Sequence, residues 1–279
     1  VSFPLPGWYF SLSMTLFGLL FGSFANVVIW RQPRGESIAS PGSHCPGCDT
    51  PIAWYDNIPV VSWLVLRGRC RSCAEPISIR YPAVELASGA LFLLAAITWG
   101  PSVRALFGGA LFWFLLVLSM IDIDHMRLPN PIVGTVALVG LIGALLSRLL
   151  SWQAVPLVGV GASGLAAQPL AMAAIGLLLG AGLPAAIALA YRLIRGTSGF
   201  GMGDVKLLGV LGLFLGPYVL LTFFVASLLG AVGALAGARG EGIAGRRIPF
   251  GPWLALGAVI TSVAGPALVG GYLSLAGIG

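Results

Sequence analysis

Long apolar runs, parted by short polar or basic connections, dominate the chain. They cover residues 8–30, 82–100, 103–121, 131–150, 168–194, 204–216, 217–238 and 250–276. A helix needs about 20 apolar residues to cross a bilayer, so most of these runs predict one membrane helix each. The sixth run is short and begins at a charged residue, which suits a tilted or partly buried half-helix. Gly216-Pro217 is a strong break, so 204–216 and 217–238 are counted separately. Read as one kinked helix, they would leave seven spans instead of eight. The stretch from Trp8 to Ile29 lacks a small-residue cleavage site and reads as a retained span, not a signal peptide.

Composition sharpens the picture. Only 9% of residues are charged and 58% are hydrophobic, whereas a soluble domain carries roughly 25% charged residues. Too little charge is present to coat a surface in water. The expected fold is an all-α polytopic membrane protein of about eight transmembrane helices, with the lipid bilayer as its surroundings. The net charge of +6 would suggest nucleic acid in a soluble protein. Here the basic residues sit mostly at span ends, and no basic patch is interleaved with aromatics, so no nucleic acid is expected. Arg31, Arg34, Arg80, Arg127, Arg192, Arg195, Lys206, Arg239, Arg246 and Arg247 fall on one side of an eight-span topology, against Arg104 and Arg148 on the other. The positive-inside rule makes the rich side cytoplasmic and puts both termini outside.

The largest segment outside the apolar runs is 31–81, which holds all four cysteines. The expected organisation is a first transmembrane helix (1–30), a cytoplasmic zinc-binding domain (31–81) and a transmembrane core (82–279). Cys45-Pro-Gly-Cys48 and Cys70-Arg-Ser-Cys73 form two C-x-x-C pairs separated by 21 residues. Each pair can present two thiolates from a tight turn, and two pairs complete a tetrahedral site whose common occupant is structural Zn2+. Disulfides, free thiols and a redox or iron–sulfur role are the alternatives, and a cytoplasmic location disfavours disulfides. A loop of this size has little core of its own, so a metal would supply much of its folding energy. His44 is at most a superfluous fifth ligand.

Four of the nine carboxylates lie within or beside apolar runs: Glu85, Asp122, Asp124 and Asp204. Carboxylates at membrane depth are costly and mark functional sites by default. Asp122 and Asp124 end the third run. Two residues apart on a helix, they point about 200° from each other, so only one can face a given interior site. Asp204 follows Gly199-Phe-Gly201-Met-Gly203, and the alternating glycines permit unusual backbone angles and close approach. The bland readings are an N-cap for Asp204 and interfacial solvation beside Arg127 for Asp122 and Asp124; His125 reads as a solvated edge residue. A nucleotide loop does not fit, because the full G-x-G-x-x-G spacing and a preceding strand are missing. Taken together, Asp122 and Asp204 are expected at the same cytoplasmic membrane edge. Two carboxylates brought close cannot both ionise easily, so the pair holds one proton. One partner is then a general base for water while the other polarises a peptide carbonyl.

These residues, in this order, resemble bacterial type IV prepilin peptidases, membrane aspartyl peptidases of the Gly-x-Gly-Asp class. The matching segments are Gly22-Ser-Phe-Ala-Asn26, the two cysteine pairs framing Asn57-Ile-Pro59-Val-Val-Ser62-Trp, Tyr81-Pro82-Ala-Val-Glu85, Asp122-Ile-Asp124 followed by Leu128-Pro129-Asn130, and Gly201-Met-Gly203-Asp204-Val-Lys206. Ala25 stands where a bulkier residue is common. The resemblance implies that Asp122 and Asp204 are catalytic, with Gly201, Gly203 and Lys206 supporting the catalytic loop. It implies a bacterial inner-membrane enzyme, with zinc loop and active site facing the cytoplasm. The substrates would be type IV prepilins and type II secretion pseudopilins, cut after a glycine. It also implies N-methylation of the new amino terminus with S-adenosylmethionine, an activity associated with Gly89 and, one turn earlier, Glu85. The loop's Arg67, Arg69 and Arg71 are candidates for contacting an acidic substrate residue or anionic lipid. A carboxylate-based transporter and a non-catalytic pilus assembly partner are the competing classes. The former would place its acids near the bilayer midplane and leaves the cysteine loop without a job; the latter would tolerate loss of either aspartate.

Overall fold

The computed structural model describes residues 2–150, 153–158, 168–196, 201–237 and 248–277. Among these residues the regular structure is helical, with only isolated β-bridges. The chain divides into two compact units, Ser2–Ile121 and Asp122–Gly279.

In the first unit, α1 (Gly7–Arg31) packs against α3 (Arg80–Trp99). Small residues make that approach possible. A side chain on Gly18 or Gly22 would collide with the backbone of Ser88 or Glu85, and the Ser88 hydroxyl donates to the Gly18 carbonyl at 2.6 Å. The first part of α4 (Val103–His125) joins them: Phe92 and Met14 pack on Gly109, and the Trp113 indole N–H donates to the Phe21 carbonyl. Between α1 and α3 lies the polar loop, with two short 3-10 turns and the five-residue helix α2 (Val61–Val65).

In the second unit, α5 (Asn130–Leu150), α6 (Pro169–Arg195), α8 (Val219–Gly237) and α9 (Gly251–Leu275) surround α7 (Met202–Leu215). Every residue of α7 from Leu207 to Leu215 is buried, the mark of a helix apolar all round. Its seam with α6 is glycine on glycine. Side chains on Gly176 or Gly212 would strike the facing backbone. No bulkier pair could hold these backbones so close.

Seven apolar helical runs among the described residues are long enough to cross a membrane, and the sixth, Met202–Ala236, is 35 residues long. That run is not one kinked helix. Gly257 sits against Thr222 and Ala226 while Gly233 and Gly230 sit against Trp253, so α8 and α9 are antiparallel. The α8 end of the hairpin therefore returns to the start of α9, where Gly251 meets Asp122. The start of α7 lies at that same end, because Gly203 packs beside Leu128 and Lys206 donates to Asn130, both just past the end of α4. The chain reverses at Gly216, whose φ of +57° suits glycine, and at Pro217. With 14 residues, α7 is about 21 Å long, short of the roughly 30 Å hydrocarbon core. This is the half-helix the short sixth run implied, and it makes eight helical passes of seven apolar runs.

Candidate active site and cysteine cluster

Asp122 lies in the last turn of α4 and is buried, at 6% exposure, whereas Asp124 is exposed. The 200° between them thus puts Asp122 on the interior face of the second unit. The helix ends just beyond, at Met126, which adopts a left-handed φ of +52° and donates its N–H to the Asp122 carbonyl. The Asp122 side chain accepts the N–H of Gly251 at 2.9 Å. Gly251 is the first residue of α9, so this donor is one of the unsatisfied N–H groups of a helix N-terminus. A Cβ on Gly251 would lie 2.8 Å from Asp122 Oδ2 and 3.2 Å from its Cβ and Cγ. Glycine is required there by close approach.

Asp204 is in the first turn of α7, and it is close enough to Asp122 for the two charges to act on each other. It is not the N-cap. Gly201 holds that position, with Asp204 three residues on and no side-chain capping bond. The carboxylate lies over Gly201, where a Cβ would sit 2.8 Å from Asp204 Oδ2. The backbone of Gly201 is ordinary, with φ −72°. Its glycine therefore serves approach, not an unusual angle. Gly203 serves the same end more loosely, beside Leu128. Gly199 lies outside the described residues. Lys206 donates to Asn130 Oδ1 at 3.0 Å and ties the start of α7 to the start of α5. The N-termini of α7 and α9 thus both bear on the two carboxylates, and each supplies partial positive charge.

The four cysteines come together in the first unit. Their sulfurs all lie within 4.8 Å of one another, and Cys45 and Cys73 Sγ are 3.7 Å apart. That spacing is far from a disulfide's roughly 2.05 Å. It matches the edge of a tetrahedron of thiolates at about 2.3 Å from a central ion. Two turns of one shape build the cluster. In the first, Cys45 N–H reaches the Thr50 carbonyl and Asp49 N–H the Cys45 carbonyl; in the second, Cys70 N–H reaches Glu75 and Ala74 N–H reaches Cys70. Asp49 and Ala74 both take left-handed φ angles. Cys45 and Cys70, Cys48 and Cys73, Asp49 and Ala74, and Pro51 and Pro76 correspond at a constant offset of 25 residues. This short structural repeat is faint in sequence, because only the two Cys, the Pro and the Ile after it (Ile52 and Ile77) recur. The N–H groups of Cys73 and Ser72 bring the Cys70 thiol down to about 7. Cys73, despite the Glu75 N–H, is pushed up to about 12 by burial and the neighbouring thiols.

Arg71 is not a spare cation. It forms a two-pronged pair with Asp56, at 2.6 and 2.7 Å, that holds the Asp56 carboxyl below its usual range. Glu85, on α3, is buried and accepts the N–H of Val60 at 2.7 Å. Gly89 sits one turn further along, with Leu19 of α1 against it. It is a packing glycine of the α1–α3 seam.

Two family models match the chain: the Bacterial Peptidase A24 N-terminal domain over residues 16–99, and the Type IV leader peptidase family over residues 109–235. A prepilin leader peptidase/N-methyltransferase of Aeromonas hydrophila is 36% identical over 305 residues, covering 97% of this chain and 96% of that protein. The chain belongs to the type IV leader peptidase family. The Type 4 prepilin-like proteins leader peptide-processing enzyme of Escherichia coli O78:H11 (strain H10407 / ETEC) is 38% identical over 88% of this chain and 91% of its own. A prepilin leader peptidase/N-methyltransferase of Neisseria gonorrhoeae is 36% identical over 85% and 84%. No solved structure matches. The peptidase assignment and the multi-pass membrane character therefore stand together. The matched family segments end before Gly251, the partner of Asp122. Sequence reading also passed over Gly251, since a backbone N–H has no side-chain signature; the one hint was Pro252, a residue that favours the start of a helix.

Proposed function

We propose that the chain is an aspartyl endopeptidase whose catalytic pair is Asp122 and Asp204. The reading rests on one observation: the buried Asp122 at the end of α4 and the half-buried Asp204 in the first turn of α7 lie where the N-termini of α7 and α9 meet. Asp122, with a backbone N–H already donated to it, takes the base role. It removes a proton from a water molecule, whose oxygen attacks the scissile carbonyl carbon. Asp204, holding the shared proton, donates to the carbonyl oxygen. Collapse of the tetrahedral species breaks the C–N bond, and the leaving amine takes a proton from the pair. Gly201, Gly203 and Lys206 fix the start of α7.

The substrates are type IV prepilins and type II secretion pseudopilins, cut after the last glycine of a basic leader at the cytoplasmic face of the bacterial inner membrane. The relatives' names support prepilins and an N-methylation step; in this reading the acceptor is the new amino terminus and the donor S-adenosylmethionine. The four thiolates hold a structural Zn2+, which fixes the loop and has no open ligand position. Purified protein in liposomes should convert a prepilin to one shorter product and, with the methyl donor added, to one a methyl group heavier by mass spectrometry. No cleavage by folded wild type would end the reading.

Gly251→Ala tests the geometry without touching a carboxylate. The new methyl displaces the Asp122 carboxylate, and a misplacement of this kind costs about 10²-fold in rate. Cleavage kinetics with a melting-temperature control would show it. Wild-type rates in the variant would mean that Asp122 need not sit where it does.

A further inference from the structure

The loop between α1 and α3 reads in sequence as a domain outside the membrane, yet α2 turns an apolar face outward. Ser62 and Trp63 point into the loop. The Ser62 hydroxyl donates to the Tyr55 carbonyl at 2.9 Å, and the Trp63 indole N–H donates to the Ile77 carbonyl at 3.0 Å. Val61, Leu64 and Val65 fall on the other side, at the i, i+3, i+4 spacing of one helical face. All three are more than half exposed. Trp54 and Ile58, which precede the helix, are exposed as well. Contiguous apolar surface of this kind marks a place where something docks.

The height of α2 along the membrane helices says what that is. Val60, the residue before α2, donates its N–H to Glu85 at 2.7 Å. Glu85 is five residues into α3, about 7 Å from its start at Arg80. Its side chain tilts toward that start. Even fully stretched, the side chain and one hydrogen bond recover only this distance, so Val60 lies level with Arg80 or deeper. Helix α1 gives the same height. Gly22 packs on the backbone of Glu85, and Arg31 ends the helix nine residues further out, about 13 Å along the axis. Arginine, tryptophan and tyrosine at span ends mark the headgroup layer. Here Trp30, Arg31 and Arg34 close α1 while Arg80 and Tyr81 open α3. Thus α2 begins within that layer, not above it. Charge agrees. Of the three arginines that the loop offers to lipid, Arg71 is taken by Asp56. Arg67 and Arg69 follow α2 at once and are exposed, and among the described residues neither has a carboxylate within ion-pair distance. An apolar face with arginines beside it is the pattern of a segment lying in the plane of a bilayer surface.

We propose that α2, with Trp54 and Ile58, docks on the bilayer that α1 and α3 cross, and that Arg67 and Arg69 hold anionic lipid headgroups beside it. The loop then has three anchors instead of two: the end of α1, the start of α3 and the apolar face between them. The third anchor bears directly on the cysteine cluster. Cys70, which opens the second of the two matching turns, is the residue after Arg69. Docking therefore fixes that turn at the membrane surface. The surface involves neither the aspartyl pair nor the four sulfurs.

The test uses the full-length protein in nanodiscs of phosphatidylethanolamine and phosphatidylglycerol. Leu64→p-benzoylphenylalanine and Val65→p-benzoylphenylalanine each place a photoreactive ring on the outward face, where an exposed side chain can be exchanged without disturbing the fold. Ala39→p-benzoylphenylalanine places it on the exposed segment that Arg31 holds through the Ser37 and Pro41 carbonyls, beyond the end of α1. After irradiation, intact-protein mass spectrometry should show phospholipid adducts at 64 and 65 and few at 39. Arg67→Glu with Arg69→Glu, added to the Leu64 variant, should lower its adduct yield about fivefold or more. Nanodiscs of neutral lipid should lower it alike with both arginines in place. Yields at 64 and 65 no higher than at 39 would overturn the docking, and so would cross-links to a second copy of the chain in place of lipid. A yield indifferent to both the charge reversal and the lipid charge would overturn the role of the two arginines.

Discussion

Asp122→Asn and Asp204→Asn should each leave a folded protein that cleaves a prepilin at least about 10³-fold more slowly than wild type. The double variant should be little worse than either single one, because the pair acts as a unit around one proton. Asparagine at 122 still offers an oxygen to the Gly251 N–H at 2.9 Å, so the start of α9 keeps its partner. Asparagine is close in shape to aspartic acid and places no charge at a desolvated site, so thermal stability should hold or rise. Asp124→Asn is the contrast. Its side chain is exposed while that of Asp122 is buried, and it should cleave within a few-fold of wild type. Residual cleavage above about a tenth in either pair variant, with the protein folded, would move the chemistry elsewhere.

That prediction was half legible in the sequence. The apolar runs located the helices to within a few residues, because in lipid every backbone group must be satisfied inside its own segment. Helical geometry said that only one of Asp122 and Asp124 could face inward. It could not say which, since that depends on what lies against α4. The family resemblance favours Asp122 as the catalytic one, and Asp122 is the buried one of the two. The reversal at Gly216-Pro217 was readable as a break, but kink and hairpin give the same sequence signal. Only the packing of α8 on α9 separates them. What stayed hidden has a common physical character. The Gly251 donor lies 129 residues from Asp122 and is a backbone group. Val60 takes a left-handed φ of +64°, against the propensity of a β-branched residue, and its N–H donates to Glu85, 25 residues away. The Asp56–Arg71 pair withdraws a cation that counting charges leaves open. Patterns report what a residue prefers; these three are cases where a distant partner decides.

Removing the metal should unfold the cysteine loop while the membrane helices persist. The loop has almost no core of its own: Trp54 is 80% exposed and Val65 70%, and its only extended pairings are isolated bridges. Structural zinc contributes an apparent 10–16 kcal/mol or so in small domains of this kind, far more than the loop's remaining contacts can replace. Metal binding must also displace the proton that Cys73 holds up to about 12. Affinity is therefore linked to pH: it falls as pH falls, and mild acid should release the ion. Hydrogen exchange after chelation, with zinc content measured alongside, should show amides of residues 43–77 exchanging fast and those of α7 unchanged. Cys45→Ser and Cys73→Ser should reproduce the effect without chelator, since each breaks one of the two matching turns. A fully demetallated protein whose loop amides stay protected would show that the four sulfurs are held together by the chain alone.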